Sequence, residues 1–155
     1  MRTLTNLTKL TTIVILSLAI MGVQFFETVS APKPKLWSRW ETYNPMSRET
    51  IDHRQWDHIL RVYIQKDINN INRIDYCRLR KEGKAGLEKY IEALNGTSIS
   101  LYSRNEQKAF WINLYNALTV KIITTHYPVN SILEIPSAWN KKLAKVEGID
   151  LSLND

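Results

Sequence analysis

Cysteine is almost missing from this chain: its 155 residues contain one, Cys77. A single thiol excludes an internal disulfide, and with it the paired cysteines of a zinc ribbon or finger. Histidine is scarce too, with three. His53 and His58 lie five apart, which splays them around a helix, whereas a zinc pair uses i and i+4. Asp57, four residues after His53, reads as a surface ion-pair partner for it. The five glycines form no Gly-rich phosphate loop, and no Gly-x-Ser-x-Gly or His-Glu-x-x-His motif occurs. No metal and no cofactor are expected. Internal repeats and low-complexity tracts are absent, and the length allows one domain at most.

Blocks of like charge are also lacking. The formal net charge is +6, from 21 Lys and Arg against 15 Asp and Glu. The cations are interspersed, with small clusters at Arg78/Arg80/Lys81/Lys84 and Lys141/Lys142/Lys145. Such a surface is mainly solvated, and no nucleic-acid partner is expected. Contact with an anionic envelope or membrane surface is the remaining electrostatic possibility.

Long apolar runs are rare, and the one that stands out sits at the start. "MRTLTNLTKL" carries Arg2 and Lys9 and no acid. "TTIVILSLAIMGV", Thr11 to Val23, follows; it is shorter than the roughly 20 residues of a membrane span. Val29 and Ala31 occupy the small-residue positions that a signal peptidase reads. Residues 1–31 are expected to be a signal peptide, which makes the protein exported, periplasmic or extracellular. Pro32 disfavours cleavage after Ala31, so an uncleaved N-terminal membrane anchor is the alternative.

From residue 32 onward the pattern predicts a mainly α (α+β) domain with three principal helices, short extended segments and a C-terminal β-hairpin. "APKPKLWSRWETYNP" lacks helical period and should lie along the surface, pinned by Trp37 and Trp40. "TIDHRQWDHILRVYIQKD" places Trp56, Ile59, Leu60, Tyr63 and Ile64 at helical spacing, with Asp52 and Gln55 resembling a capping box. "NNINRIDY" reads as extended. "KEGKAGLEKYIEALNG" is a second helix burying Leu87, Ile91 and Leu94, stopped by Asn95-Gly96 through the left-handed conformation both tolerate. "TSISLY" is a short extended link.

The third helix is "SRNEQKAFWINLYNALTVKIITTHYP". Ser103 and Glu106 form a Ser-x-x-Glu capping box, and Pro128 ends the helix. Trp111, Leu114, Tyr115, Leu118 and Ile122 make one apolar face. Phe110, Ala117, Val120 and Ile123 extend the apolarity nearly all round, so this helix is expected to be central and enclosed. "LAKVEGIDLSL" is a small hairpin around Glu147-Gly148. Ser152 and Asp155 then make a helix-start signature at the last residue, from which the domain is expected to be an incomplete, N-terminal part of something longer.

"WSRW", "IDHRQWDHIL", "INRIDY", "EQKAFWINLYNALTVKII", "HYP" and "WNKKLAKVEGIDLSLND" together resemble the family called domain of unknown function 547. The resemblance covers most of the chain after about Leu36. Members of that family continue past Ser-Leu-Asn-Asp with an Ile-Glu-His step, then a segment of the type Asn-Cys-Ala-Ser-x-x-Cys-Pro and further helices. The resemblance therefore implies that residues 32–155 are the N-terminal part of such a domain. It also implies that the family's histidine and two cysteines lie outside this chain.

Two carboxamides in the most apolar helix are the candidate site. Asn113 and Asn116 stand at i and i+3 and project from roughly one face. Without partners a buried carboxamide costs on the order of 1–3 kcal/mol. They are expected either to tie the helix to neighbouring loops or to orient a catalytic side chain or substrate carbonyl in a cleft. Trp111 and Tyr115, four apart, are core residues by default and a ligand-stacking platform otherwise. His126, at the helix end, suits the C-terminal dipole. Cys77 lies beside Arg78 and Arg80, which would favour its thiolate, with no histidine placed next to it in sequence.

Three functional readings follow. The first is an exported fragment of a family member with no self-contained catalytic site and with uncovered apolar surface that favours self-association. The second is the scaffold half of a thiol-dependent hydrolase or transferase, with Asn113 or Asn116 as orienters. The third is an envelope binding module that uses the Trp111/Tyr115 surface or the basic clusters.

Overall fold

The computed structural model describes residues 37–155. The expected signal or anchor at residues 1–31 lies outside the described residues. Ser38–Asp155 forms one compact unit. It is mainly α, as the sequence pattern predicts, with two small antiparallel hairpins where only the C-terminal one was expected.

A 3-10 turn at Ser38–Glu41 leads in. Helix α1, Arg54–Tyr63, buries Trp56, Ile59 and Tyr63 at helical spacing. The proposed Asp52–Gln55 capping box does not form. His53 is the N-cap and makes no side-chain cap bond. The Asp52 carboxylate accepts from the Arg54 N–H at 2.9 Å and from the Arg54 guanidinium, which holds its carboxyl down at about 2.

Ile64, expected to continue this helix, instead begins strand β1, Ile64–Lys66, which pairs antiparallel with β2, Asn72–Ile74. The connecting loop is organised by Asp67. Its carboxylate accepts from the N–H groups of Asn69 at 2.8 Å and Ile71 at 2.9 Å, and from Arg73 Nε at 2.6 Å. Asn70 takes the left-handed conformation, φ 61°, which asparagine tolerates.

Tyr76, expected to be extended, opens a single helical turn, Tyr76–Arg78, capped by the Asp75 carboxylate, which accepts from the Arg78 N–H. A five-residue π-helical segment, Leu79–Gly83, follows and buries Leu79 completely. Gly83 is needed there for space. A Cβ at that position would lie 2.6 Å from Leu79 Cδ1 and from two ring carbons of Tyr63.

Helix α2, Lys84–Asn95, then buries Leu87, Tyr90, Ile91 and Leu94. It stops at Gly96 as expected, but by another route. Gly96 stays right-handed at φ −79°, and the end is closed by Thr97, whose Oγ1 donates to Ala93 O at 3.0 Å. The following "TSISLY" is a 3-10 turn, Ile99–Leu101, rather than an extended link.

Helix α3 runs from Arg104 to His126. Ser103 Oγ accepts from the Glu106 N–H, but the reciprocal half of the expected box is missing, because Glu106 Oε2 accepts from the N–H of Ile51 at 3.1 Å. Residues Phe110, Leu114, Ala117, Leu118 and Ile122 are buried. The central element, however, is α2, which packs against α1, α3 and the last hairpin. One side of α3 faces solvent.

Strands β3, Ala144–Val146, and β4, Ile149–Leu151, form the expected hairpin. Its turn has positive φ at both Glu147 (46°) and Gly148 (84°), the mirror-image turn that matches strand twist. The Glu147 carboxylate accepts from Ser100 N–H and Oγ–H at 3.0 and 2.6 Å, and its carbonyl accepts from Arg39 Nη2 at 2.6 Å.

Ser152 and Asp155 do make the reciprocal contacts of a capping box. Asp155 Oδ2 accepts from Ser152 N–H at 2.7 Å, and Ser152 Oγ accepts from the Asn154 N–H at 3.3 Å.

Candidate functional site

The outward side of α3 carries the candidate residues. Tyr115 is 44% exposed and Ile112, three residues before it, is 52% exposed. Asn116 is exposed and Asn113 half-buried. Among the described residues, neither carboxamide makes a side-chain hydrogen bond. Asn116 is thus placed on the solvent side of the helix, Tyr115 lies there with it instead of on the core face, and Asn113 sits half-buried at the edge of the seam.

Trp111 divides from this group. It is half-buried, edge-on to Trp40 (centroids 4.9 Å apart, planes at 66°) and to Phe110 (4.8 Å, 86°). Trp40 pins the lead segment as expected, while Trp37 is exposed. Trp111 thus packs on the lead segment, while Tyr115 is open to solvent.

The buried carboxamide of α3 is Gln107, which sequence reasoning passed over. It is 3% exposed. Its Nε2 donates to Thr42 O at 2.9 Å and Ile99 O at 3.0 Å, and its Oε1 accepts from Arg104 Nη1 at 2.9 Å. Arg104 also donates to the carbonyls of Trp40 and Glu41 and lies 4.3 Å from the Tyr43 ring centroid. The role foreseen for Asn113 and Asn116, tying the helix to neighbouring loops, is performed one turn or more earlier. The Ser-x-x-Glu box next to Gln107 was the available signal, because it fixes where α3 starts and so which residues meet the lead segment.

A second polar cluster is built on α1 and α2. His53 Nδ1 lies 2.7 Å from the Tyr90 hydroxyl, and Trp56 stacks on Tyr90 at 5.8 Å with planes 10° apart. His53 is therefore paired with Tyr90 rather than with Asp57. Its Nε2 is buried with no partner among the described residues. Burial, with Asp57 nearby, pushes the Tyr90 phenol up, so the hydroxyl stays protonated. Beside this pair lies a hollow of about 410 Å³, open to solvent and bordered by Asp52, Gln55 and Lys89. No sequence spacing announced the His53–Tyr90 contact, which joins residues 37 positions apart.

The remaining candidates are scattered. Cys77 is an exposed free thiol. Arg78 is engaged by Glu82 at 3.0 Å, and Arg80 donates to the carbonyl of Tyr127. His126 Nδ1 bonds the Ile122 carbonyl of its own helix at 2.8 Å. Among the described residues no group of three or more His, Cys, Asp or Glu is placed to hold a metal ion. No described helix is long and apolar enough to cross a membrane.

Residues 99–155 match the family described as Protein of unknown function, DUF547. The match lies in the C-terminal part of the chain. The match is narrower than the resemblance seen in the sequence, which begins near Leu36. No curated protein and no solved structure matches the chain. The matched segment includes all of α3, the β3–β4 hairpin and the Ser152–Asp155 turn. The outward stripe of Ile112, Tyr115 and Asn116 belongs wholly to it. The His53–Tyr90 pair and the β1–β2 hairpin lie before it.

Proposed function

We propose that this protein is exported, that its DUF547 segment has no self-contained catalytic site, and that the outward side of α3 is a surface on which another polypeptide segment packs. The observation that carries this reading is the pair Ile112 and Tyr115, 52% and 44% exposed and neighbours at i and i+3. Covering the exposed half of an isoleucine side chain is worth about 1 kcal/mol, and a tyrosine brings apolar area with a polar tip that suits an interface. The free carboxamides of Asn113 and Asn116 beside them offer donors and acceptors to whatever packs there. In the second reading, the scaffold half of a thiol-dependent hydrolase or transferase, those same carboxamides orient groups on the packed segment.

Two measurements test the proposal. Residues 1–40 fused to a reporter active only outside the cytoplasm should give signal; a silent reporter refutes export. A photo-crosslinking residue at position 112 or 115 of the full chain should capture a polypeptide, from a second copy or another protein, while one at the exposed Glu88 of α2 should not. If positions 112 and 115 yield no adduct, or no more than position 88, the α3 surface is not an interface.

A further inference from the structure

We propose that the β1–β2 hairpin is a docking tip for an anionic phospholipid bilayer, with Ile68 entering the acyl boundary. Ile68 is 99% exposed and Ile71 is 50% exposed. An isolated exposed aliphatic residue is ordinary, but this one is held out by a built loop. Asp67 fixes the loop through Asn69, Ile71 and Arg73, and the backbone closes from Asp67 N–H to Ile71 O at 2.9 Å. The loop geometry requires the Asp67 acceptor and the left-handed Asn70; nothing in it requires a β-branched apolar side chain at position 68.

The base of the hairpin has the chemistry of the headgroup level. Tyr76 and Tyr127 stack at 6.3 Å and border a hollow of about 320 Å³ that Lys66 and Arg73 also line. Tyrosines favour the membrane–water boundary, and Lys and Arg stems extend along apolar surface while their charges reach phosphate. Asp67 and Asp75 line the same hollow, but each is engaged: Asp67 with Arg73 and the loop N–H groups, Asp75 with the Arg78 N–H and Gln65. Residues 61–82 together carry six Lys and Arg against three Asp and Glu. That imbalance selects an anionic over a neutral surface. A tip of two isoleucines is also too small for a stable protein interface, which takes roughly 800 Å² from each partner, whereas it suits shallow interfacial insertion.

The test uses the full chain with Cys77→Ser and Asn69→Cys, the new thiol carrying an environment-sensitive fluorophore. Vesicles of phosphatidylglycerol mixed with phosphatidylcholine should shift the emission to the blue, and bromine-substituted acyl chains should quench it. The apparent affinity should fall several-fold on phosphatidylcholine alone and with Lys66→Gln. Ile68→Asp should abolish the quenching. A probe that stays in water while the chain cosediments with vesicles overturns the proposal and leaves the export reading intact, because attachment then runs through the N-terminal segment. Absence of both effects also overturns it. Equal response on neutral and anionic vesicles overturns the role of the basic flank, and quenching that survives Ile68→Asp overturns the role of the tip.

Discussion

Gln107 Nε2 donates to the main-chain oxygen of Thr42, 65 residues earlier, and the same nitrogen reaches Ile99 O. One buried carboxamide thus closes the lead segment and the 3-10 turn onto the start of α3. Replacing it with leucine leaves two carbonyls and the Arg104 donor short of a partner. Gln107→Leu should lose about 1–3 kcal/mol, read as a lower midpoint in urea. Asn116→Ala, on the exposed side of the same helix, should stay within about 0.5 kcal/mol of the parent. Equal effects of the two substitutions would contradict the assignment of Gln107 as the anchor.

The space that a methyl group would need at Gly83 is already occupied. In an ordinary helix Gly→Ala gains up to about 1 kcal/mol. Here the added Cβ meets Leu79 and Tyr63 at 2.6 Å, and both are buried. Overpacking costs typically 1–3 kcal/mol, so Gly83→Ala should lower the thermal midpoint despite the propensity gain. A raised midpoint would show that the π-helical segment yields easily.

Tyr90→Phe keeps the ring on Trp56 and removes the hydroxyl from His53 Nδ1. The imidazole would then have no partner for either nitrogen among the described residues. A loss of about 1–2 kcal/mol is expected, in chemical denaturation. No loss would mean that the 2.7 Å contact contributes nothing net.

The turn at Ser152 should open in acid. The Lys142 ammonium first, then the Ser152 hydroxyl and N–H, hold the Asp155 carboxyl down at about 2 against an ordinary 3.8. Because the folded value is depressed, the unfolded chain takes up the proton first. The stabilisation is present above 3.8 and disappears as the pH falls towards about 2. The amide resonance of Ser152 should titrate in that window, and Asp155→Asn should remove the transition. A Ser152 shift centred near neutrality would refute the assignment.

The helices were legible because each has a buried face at helical spacing: Trp56, Ile59 and Tyr63 in α1, and Leu87, Ile91 and Leu94 in α2. The last hairpin was legible because Glu147-Gly148 suits the mirror-image turn. The errors arose where a local signal was taken up by a distant partner. The Glu106 carboxylate belongs to Ile51 rather than to Ser103, and His53 belongs to Tyr90 rather than to Asp57. Composition also misled for α3. Tyr115 and Ile112 are apolar by type, yet tertiary contacts cover only one side of the helix, and no spacing within α3 tells which side its neighbours take. The β1 strand was hidden because Ile64 continues the period of α1 across the point where the backbone turns extended.

Arg39 and Glu147 meet although 108 residues separate them. Most other links in the fold are local: turns within helices and hairpins of a few residues. Closing so long a loop is entropically the most demanding contact in the unit, so on a ribosome the lead segment can close onto Arg104 and Gln107 first and onto Glu147 only once the last hairpin has been made. The Arg39–Glu147 contact is thus expected to form late in folding and to open early. The amide of Asn44, which bonds Tyr102 O, should exchange with solvent well before those of α2, giving the protein a loose seam that runs beside its own N-terminal lead.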